Sequence, residues 1–194
     1  MKLRHLIVLV FSLLISSHAF ATWTLDNTKS SLTFVSTKAI DIAEVHHFTQ
    51  LVGRVSDKGK AVLTIELASV ETGIPIRNER MMEMLFETKR FPLATVRAKI
   101  DMDIVDGIAP GNNKQMAVEL ELDLHGVRIA LETNIMVVRL NESTLLVSSA
   151  KPVIVNAAAV ELSSGVESLR EVASLPSIGN AVPVSFILTF NWTE

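Results

Sequence analysis

A strict two-residue alternation of apolar and charged side chains dominates the middle of the chain. Residues 116–124 read M-A-V-E-L-E-L-D-L, with apolar Val118, Leu120, Leu122 and Leu124 between charged Glu119, Glu121 and Asp123. A period of two is that of a β-strand with one buried face and one face in water. On a helix the same apolar residues would spread around the whole circumference. The pattern therefore predicts a strand at this position and excludes a helix.

A two-residue turn follows that strand. His125-Gly126 separates it from a second alternating stretch that begins at Val127, which predicts a β-hairpin with Gly at a turn position. The register then pairs residues whose numbers add up to 251. Leu122 should face Ile129 on the inner side, and Asp123 should face Arg128 on the outer side, where opposite charges stabilise the pair.

The same alternation recurs along the rest of the chain. Further candidate strands are residues 31–37, 52–55, 60–68, 95–104, 145–147, 153–155 and 182–192. With the hairpin they make eight or nine strands, mostly joined by short turns. So many alternating strands in one domain must pack as a sandwich or close into a barrel, because open edges invite aggregation.

Two segments carry helical spacing instead. Residues 76–87 place Met81, Met84 and Leu85 on one face, with Arg77, Arg80 and Glu83 opposite. Residues 166–175 place Val166, Leu169 and Ala173 on one side. Ser164-x-x-Glu167 before that segment has the pattern of a capping box, and Pro176 should end the helix.

The first 21 residues have the pattern of a bacterial secretory signal peptide. A basic start is followed by the apolar run Leu6–Ile15 and by Ala19-Phe20-Ala21, a small-x-small cleavage site. We therefore expect cleavage after Ala21, a mature domain over residues 22–194 and a periplasmic location. Ten apolar residues are too few to span a bilayer, and we predict no transmembrane anchor elsewhere.

Composition excludes several functional classes. Removing Lys2 and Arg4 with the signal leaves 16 basic against 21 acidic residues, a net charge of −5 that disfavours a nucleic-acid partner. With no cysteine the chain has no disulfide framework, thiolate metal site or cysteine nucleophile. His46-His47 is the one adjacent histidine pair of the mature chain. A metal or proton-transfer site with Glu44 or Asp41 is one interpretation, but strand neighbours point to opposite faces, so we predict no metal and no cofactor.

Five short motifs, in order, carry a resemblance to a known family. They are Trp23-x-Leu25-Asp26 with Ser31–Phe34, Ser69–Gly73 with Arg77-Asn78, Phe86 with Phe91-Pro92, Leu122–Val127, and Ser177–Gly179 with Val182–Phe186. Along nearly its whole length the mature chain resembles the YceI-like family of exported, lipocalin-like proteins that bind polyisoprenoids or similar long-chain amphiphiles. The resemblance implies an all-β fold: an antiparallel, lipocalin-like eight-stranded β-barrel, here with two short helical inserts.

Within that fold a set of candidate ligand-binding residues follows. They are Arg77, Asn78, Met81, Met84, Leu85, Phe86, Leu120, Leu122, Phe186 and Phe190. An eight-stranded barrel is just wide enough to be filled by its own side chains or to hold one slim ligand, and the pattern alone leaves both open. The Met-rich insert could cover one end or fill a gap in the core. Arg77 could bind a polar head group or fix the insert by bonding loop carbonyls, and Arg80 could join it or pair with Glu83 in solvent.

The sequence is compatible with three functions. The main hypothesis is a non-enzymatic periplasmic carrier of a polyisoprenoid or other long-chain amphiphilic lipid. The alternatives are an enzyme that acts on such a lipid with Arg77 and a histidine, and a ligand-free stress or structural protein. The sequence leaves the oligomeric state open, with a homodimer among the options.

Overall fold

Twelve strand segments make up most of the chain from Thr22 to Thr193. The computed structural model of the protein describes residues 22–193, and the predicted signal peptide lies outside the described residues. The segments are β1 (Thr22–Leu25), β2 (Ser31–Lys38), β3 (Ile42–Phe48), β4 (Leu51–Ser56), β5 (Lys60–Glu66), β6 (Val70–Glu71), β7 (Leu93–Lys99), β8 (Asn113–Leu124), β9 (Val127–Asn141), β10 (Thr144–Ser149), β11 (Val153–Asn156) and β12 (Ala181–Thr193).

The sheet closes on itself. Antiparallel pairing runs β1–β4–β5–β7–β8–β9–β10–β12 and returns from β12 to β1. The last strand serves both edges, because Phe190 lies opposite Leu145 of β10 and opposite Leu25 of β1. The four other segments extend this circuit: β2 and β11 pair with the first half of β12, β3 pairs with β2, and β6 pairs with β3. The predicted eight-stranded antiparallel barrel is confirmed.

The β8–β9 hairpin has the predicted register throughout. Leu122 lies opposite Ile129, and Arg128 Nε donates a hydrogen bond to the Asp123 carboxylate at 2.9 Å. His125 and Gly126 have φ angles of +54° and +81°, the left-handed conformation that a two-residue turn of this hand requires at both positions.

Three α-helices interrupt the strands of residues 22–193, one more than predicted for this part of the chain: α1 (Pro75–Arg80), α2 (Met102–Asp106) and α3 (Ser163–Val172). The predicted strand over residues 95–104 was too long, since β7 ends at Lys99 and α2 occupies its last residues. The Asp101 side chain accepts a hydrogen bond from the Asp103 amide and so starts a helix, which the alternation of apolar residues concealed. None of the helices within residues 22–193 is long and apolar enough to span a bilayer.

The other two helices also differ in detail from the prediction. The capping box at Ser164 was wrong: α3 starts at Ser163, and its N-cap residue Leu162 has no side chain that could bond the first amides. The predicted helix over residues 76–87 is shorter, because α1 ends at Arg80 and one wide turn, Met81–Leu85, follows. In that turn the Phe86 amide donates to the Met81 carbonyl at 2.9 Å, five residues back.

Gly126→Val tests the β8–β9 turn. A β-branched residue is strained at φ +81°, and a Cβ there would lie 3.1 Å from the Phe91 ring. We expect the free energy of unfolding to fall by about 1–3 kcal/mol, measured by urea denaturation. Gly126→Asn is the control, since Asn tolerates the left-handed region, and it should lose clearly less. Equal stability of wild type and the Val variant would contradict the turn.

Candidate functional site

The barrel encloses one large cavity of about 580 Å³. Its wall consists of the inward rows of the strands, which are almost entirely Val, Leu, Ile, Ala and Phe. Four of the predicted site residues, Leu120, Leu122, Phe186 and Phe190, lie on this wall. The question that the pattern left open, a filled or a hollow barrel, is therefore answered in favour of a hollow one.

One end of the cavity is closed. Helix α2 packs there, with Val105 buried against the barrel, and Trp23 lies among the residues that line this end. Arg139 of β9 is buried beside them. Its Nη2 donates to the Val105 carbonyl at 3.0 Å, and its guanidinium carbon lies 5.8 Å from the centre of the Trp23 ring. These contacts attach α2 to the barrel and seal the end.

The opposite end carries the opening. Helix α1, the wide turn after it, helix α3 and the segment that follows α3 all contribute to the cavity wall. The wall residues Ile74, Ile76 and Val172 are also exposed to solvent, whereas Trp23 and Val105 at the other end are buried. We call this opening the mouth.

The wide turn decides which side chains of the insert face the cavity. Met81, Leu85 and Phe86 are buried and line it, as predicted for their positions. Met84 was placed on the same face by regular helical spacing, but it is 36% exposed and lies outside the lining. Backbone hydrogen bonds that span five residues widen the turn and change which side chains point towards the cavity. Phe86 is therefore buried where a regular helix would bury Met84.

Gly165 of α3 holds that turn in place. A Cβ on Gly165 would lie 2.6 Å from the Met84 carbonyl oxygen and 2.7 Å from Leu85 Cα. Only glycine permits this backbone approach of α3 to the wide turn. The two helical inserts therefore form one cover beside the mouth.

Asn78 was predicted to contact the ligand, but the structure places its side chain in the loop before α1. Its Oδ1 accepts hydrogen bonds from the Thr72 amide at 2.9 Å and the Thr72 hydroxyl at 2.6 Å, and its Nδ2 donates to Glu71 at 3.2 Å. Asn78 is not among the residues that line the cavity. Its geometry is that of a residue that fixes the insert.

Arg77 lines the cavity and also anchors the insert. Its Nη1 lies 2.8 Å from Glu44 Oε2, and its Nη2 donates to the Thr72 carbonyl at 2.5 Å. The carbonyl bond is the structural role that the sequence left open for this side chain. Lys38 Nζ lies 2.8 Å from the same Glu44 oxygen. The hydrogen bond from Lys38, followed by that from Arg77, lowers the pKa of Glu44 below its ordinary value.

Arg80 also lines the cavity, although it was predicted to lie opposite the buried face of its helix. Among residues 22–193 it makes no ion pair with Glu83 or with any other carboxylate. The lining near the mouth therefore carries three cations, Lys38, Arg77 and Arg80, and one carboxylate, Glu44.

The two adjacent histidines face opposite sides of the wall. His46 is buried, lines the cavity and has its Nε2 2.9 Å from Ser36 Oγ, whereas His47 is exposed. Burial, followed by the charge of Arg77, lowers the pKa of His46, so the ring is neutral at pH 7. Within residues 22–193 no three His, Asp or Glu side chains gather closely enough to hold a metal ion.

Strand β3 was not identified from the sequence, and the polar residues that it adds to the cavity wall, Glu44 and His46, were therefore missed. Its cavity-lining residues are Glu44, His46 and Phe48, so charged and polar groups interrupt the apolar row that marks a strand. Val45 points outwards into solvent, where a strand of this barrel usually carries a polar residue, and so disturbs the alternation further. The adjacent pair His46-His47 was the one signal that could have directed attention to this strand.

The Glu44 cluster predicts a pH-dependent stability. Its folded-state pKa is lowered, so its contribution is present at neutral pH and is lost as the pH falls through the folded-state pKa. Glu44→Gln should therefore lower the free energy of unfolding at pH 7 by about 1 kcal/mol and lower it by less as the pH falls below the ordinary pKa range of a glutamate, measured by urea denaturation at pH 7 and pH 3.

Glu121→Gln is the matched control for that variant. Glu121 lies on the exposed outer wall, 3.5 Å from Arg97, and its removal should change the stability less. A Glu44→Gln defect of the same size at both pH values would contradict the role of the charge.

Comparison with known proteins adds to this geometry. The family model of the YceI-like domain matches residues 23–190. A solved polyisoprenoid-binding domain from Saccharophagus degradans, described as implicated in plant cell wall breakdown, is 41% identical, with a TM-score of 0.85 over 87% of this chain and 97% of that one. A search of curated proteins gives no match.

Two further solved structures share the fold alone. BcnA of Burkholderia cenocepacia is 20% identical, with a TM-score of 0.66 over 85% of this chain and 98% of that one. The YceI protein of Campylobacter jejuni is 14% identical, with a TM-score of 0.56 over 77% and 85% of the two chains. The family match spans the whole barrel, from Trp23 of β1 to Phe190 of β12, and the chain therefore belongs to the YceI-like domain family.

Proposed function

We propose that this protein holds a polyisoprenoid or similar long-chain amphiphile in its barrel and carries or sequesters it in the periplasm. The observation that carries the proposal is the apolar cavity of about 580 Å³, closed at Trp23 and open between α1 and α3. That volume lies within the range of roughly 300–1,000 Å³ found for small-molecule sites.

The wall favours a hydrocarbon chain. Its residues are mostly aliphatic, with few hydrogen-bonding groups away from the mouth. A flexible chain gains free energy from leaving water, at roughly 25 cal/mol per Å² of apolar surface, and needs no directed bonds. Rows of Val and Leu tolerate variation in chain shape better than a site built from oriented polar groups.

The mouth favours a polar or acidic head group. Lys38 and Arg77 share one carboxylate, Glu44, and Arg80 adds a third cation to the lining. Arg77 and Lys38 are already bonded to Glu44, so Arg80 is the better candidate for direct contact with a head group. Of the two roles that the sequence left open for Arg77, we therefore propose the structural one, in which it fixes the insert beside the mouth.

The family supports the lipid class. The Saccharophagus degradans relative, 41% identical to this chain, is named as a polyisoprenoid-binding domain. We extend that ligand class to this chain because its cavity is apolar along its length. The periplasmic location is a proposal from the signal-peptide pattern of residues 1–21, with Thr22 as the first residue of the mature protein.

Binding explains the polar groups better than catalysis does. Ser36 and His46 form a hydroxyl–imidazole pair at 2.9 Å, the kind of contact that activates a serine. However, among the described residues His46 Nδ1 has no hydrogen-bond partner, so no third group orients the ring as a base. We therefore propose a non-enzymatic protein.

Extraction of co-purifying lipid tests the proposal. Wild-type protein from the periplasmic fraction should yield about one long-chain lipid per chain by mass spectrometry, and the intact protein mass should correspond to a start at Thr22. Val184→Trp places an indole in the cavity and should remove most of the lipid, because Val184 lines the wall.

Val52→Trp is the matched control, since Val52 lies on the outer wall and should leave the lipid content unchanged. If Val184→Trp fails to fold, Val184→Phe makes the same test with a smaller ring. Wild-type protein without lipid would favour the ligand-free alternative. Equal lipid in the Val184 and Val52 variants would place the lipid outside the barrel.

A further inference from the structure

The rim of the mouth is formed by three parts of the chain that are bonded together. The Glu44 carboxylate joins Lys38, at the end of β2, to Arg77 of α1, with both distances at 2.8 Å. The Ala39 amide donates to the Ser177 carbonyl at 3.0 Å, which attaches the β2–β3 turn to the segment after α3. The turn, the start of α1 and the end of α3 therefore surround one opening.

Exposed aliphatic side chains lie on each part of this rim. Ile40 projects from the β2–β3 turn and Ile42 from the first residue of β3. Ile74 and Ile76 project from the start of α1, and Val172 from the end of α3. Ile74, Ile76 and Val172 also line the cavity. At these three residues the apolar wall of the cavity is therefore continuous with the outer surface of the protein.

Ile40 is the most exposed large apolar side chain of the described residues, at 89%, and its backbone is strained. Its φ is +76°, a conformation that β-branched residues avoid and that Asn or Gly adopts readily. Neither packing nor turn geometry favours isoleucine at this position. Strained residues of this kind cluster at functional sites, such as ligand clamps and switch regions.

We propose that the mouth docks on a lipid bilayer, with Ile40 inserted among the lipid chains and the opening turned towards the membrane. The inference rests on the proposed function, because an amphiphile can pass between bilayer and barrel without crossing water only along such an apolar path. The bilayer is the occupant we favour because the rim residues surround an opening. A partner protein would instead need a continuous apolar patch.

Charge at the rim supports apolar rather than electrostatic docking. Lys38 and Arg77 are paired with Glu44, and the turn and helix that carry these cations also carry the exposed carboxylates Asp41 and Glu79, so the rim holds equal numbers of cations and carboxylates. Binding should therefore occur on zwitterionic vesicles and depend only weakly on salt, in contrast to a protein attracted by anionic lipids.

Vesicle flotation with three variants tests the proposal. The probe is phosphatidylcholine vesicles, with and without one quarter phosphatidylglycerol, at low and high salt. Wild type should float with both vesicle types. Ile40→Asn should bind on the order of tenfold more weakly while unfolding at the same or a higher temperature, because Asn suits the left-handed turn and loses the apolar insertion. Ile76→Asn should weaken binding at a second point of the rim.

Val52→Asn is the matched control. Val52 is 73% exposed on the outer wall of β4, away from the rim, and its replacement should leave flotation unchanged. Equal flotation of the Ile40 and Val52 variants would overturn the docking proposal. So would wild-type binding that requires phosphatidylglycerol and vanishes in high salt, or a dimer in sedimentation that only the Ile40 variant loses.

Lipid content measured on the same preparations separates the two proposals. Wild type that holds a lipid but does not float refutes docking and leaves the binding function intact. Wild type that floats but contains no lipid, and takes up none from the vesicles, refutes the binding function.

Discussion

Closure of the barrel by β12 is the constraint on which the rest of the structure depends. This strand pairs with β10 and β11 along one edge and with β1 and β2 along the other, so the two ends of the described chain meet at Trp23 and Trp192. Because each of the eight strands of the closed circuit has a partner on both sides, alternation makes each of them send half of its side chains inwards. Because those side chains are mainly aliphatic and of modest size, they line the interior without filling it.

A hollow core costs stability, since wall atoms that face a cavity lose packing partners. The two ends show how the protein limits this cost. At the closed end Arg139 ties α2 to the barrel through the Val105 carbonyl, and at the mouth the Glu44 cluster ties α1 to β2 and β3. Both devices lie at the barrel ends, so the long wall between them stays apolar and available to a hydrocarbon chain.

Much of the fold was accessible from the sequence because period-two alternation reports directly which face of a strand is buried. The β8–β9 register followed from the two alternating stretches and the two-residue turn His125-Gly126 between them. The features that escaped prediction depend on contacts distant in sequence or on local bonding. Strand β3 was not recognised because Glu44 and His46 break its apolar row. Their partners Lys38, Arg77 and Ser36 lie on other elements, so the sequence does not show why polar residues are stable there. Met84 was misplaced because the wide turn after α1 depends on α3, where Gly165 allows close approach.

The orientation of a bound chain tests the account most directly. The protein has two tryptophans, Trp23 and Trp192, whose rings lie 5.1 Å apart at the closed end, far from the cations of the mouth. Long-chain fatty acids brominated either at the chain end or beside the carboxylate quench only nearby tryptophan fluorescence. The account predicts strong quenching by the chain-end bromine and little by the bromine near the carboxylate. Stronger quenching by the latter, or none by either, would contradict a chain held tail-first in the barrel.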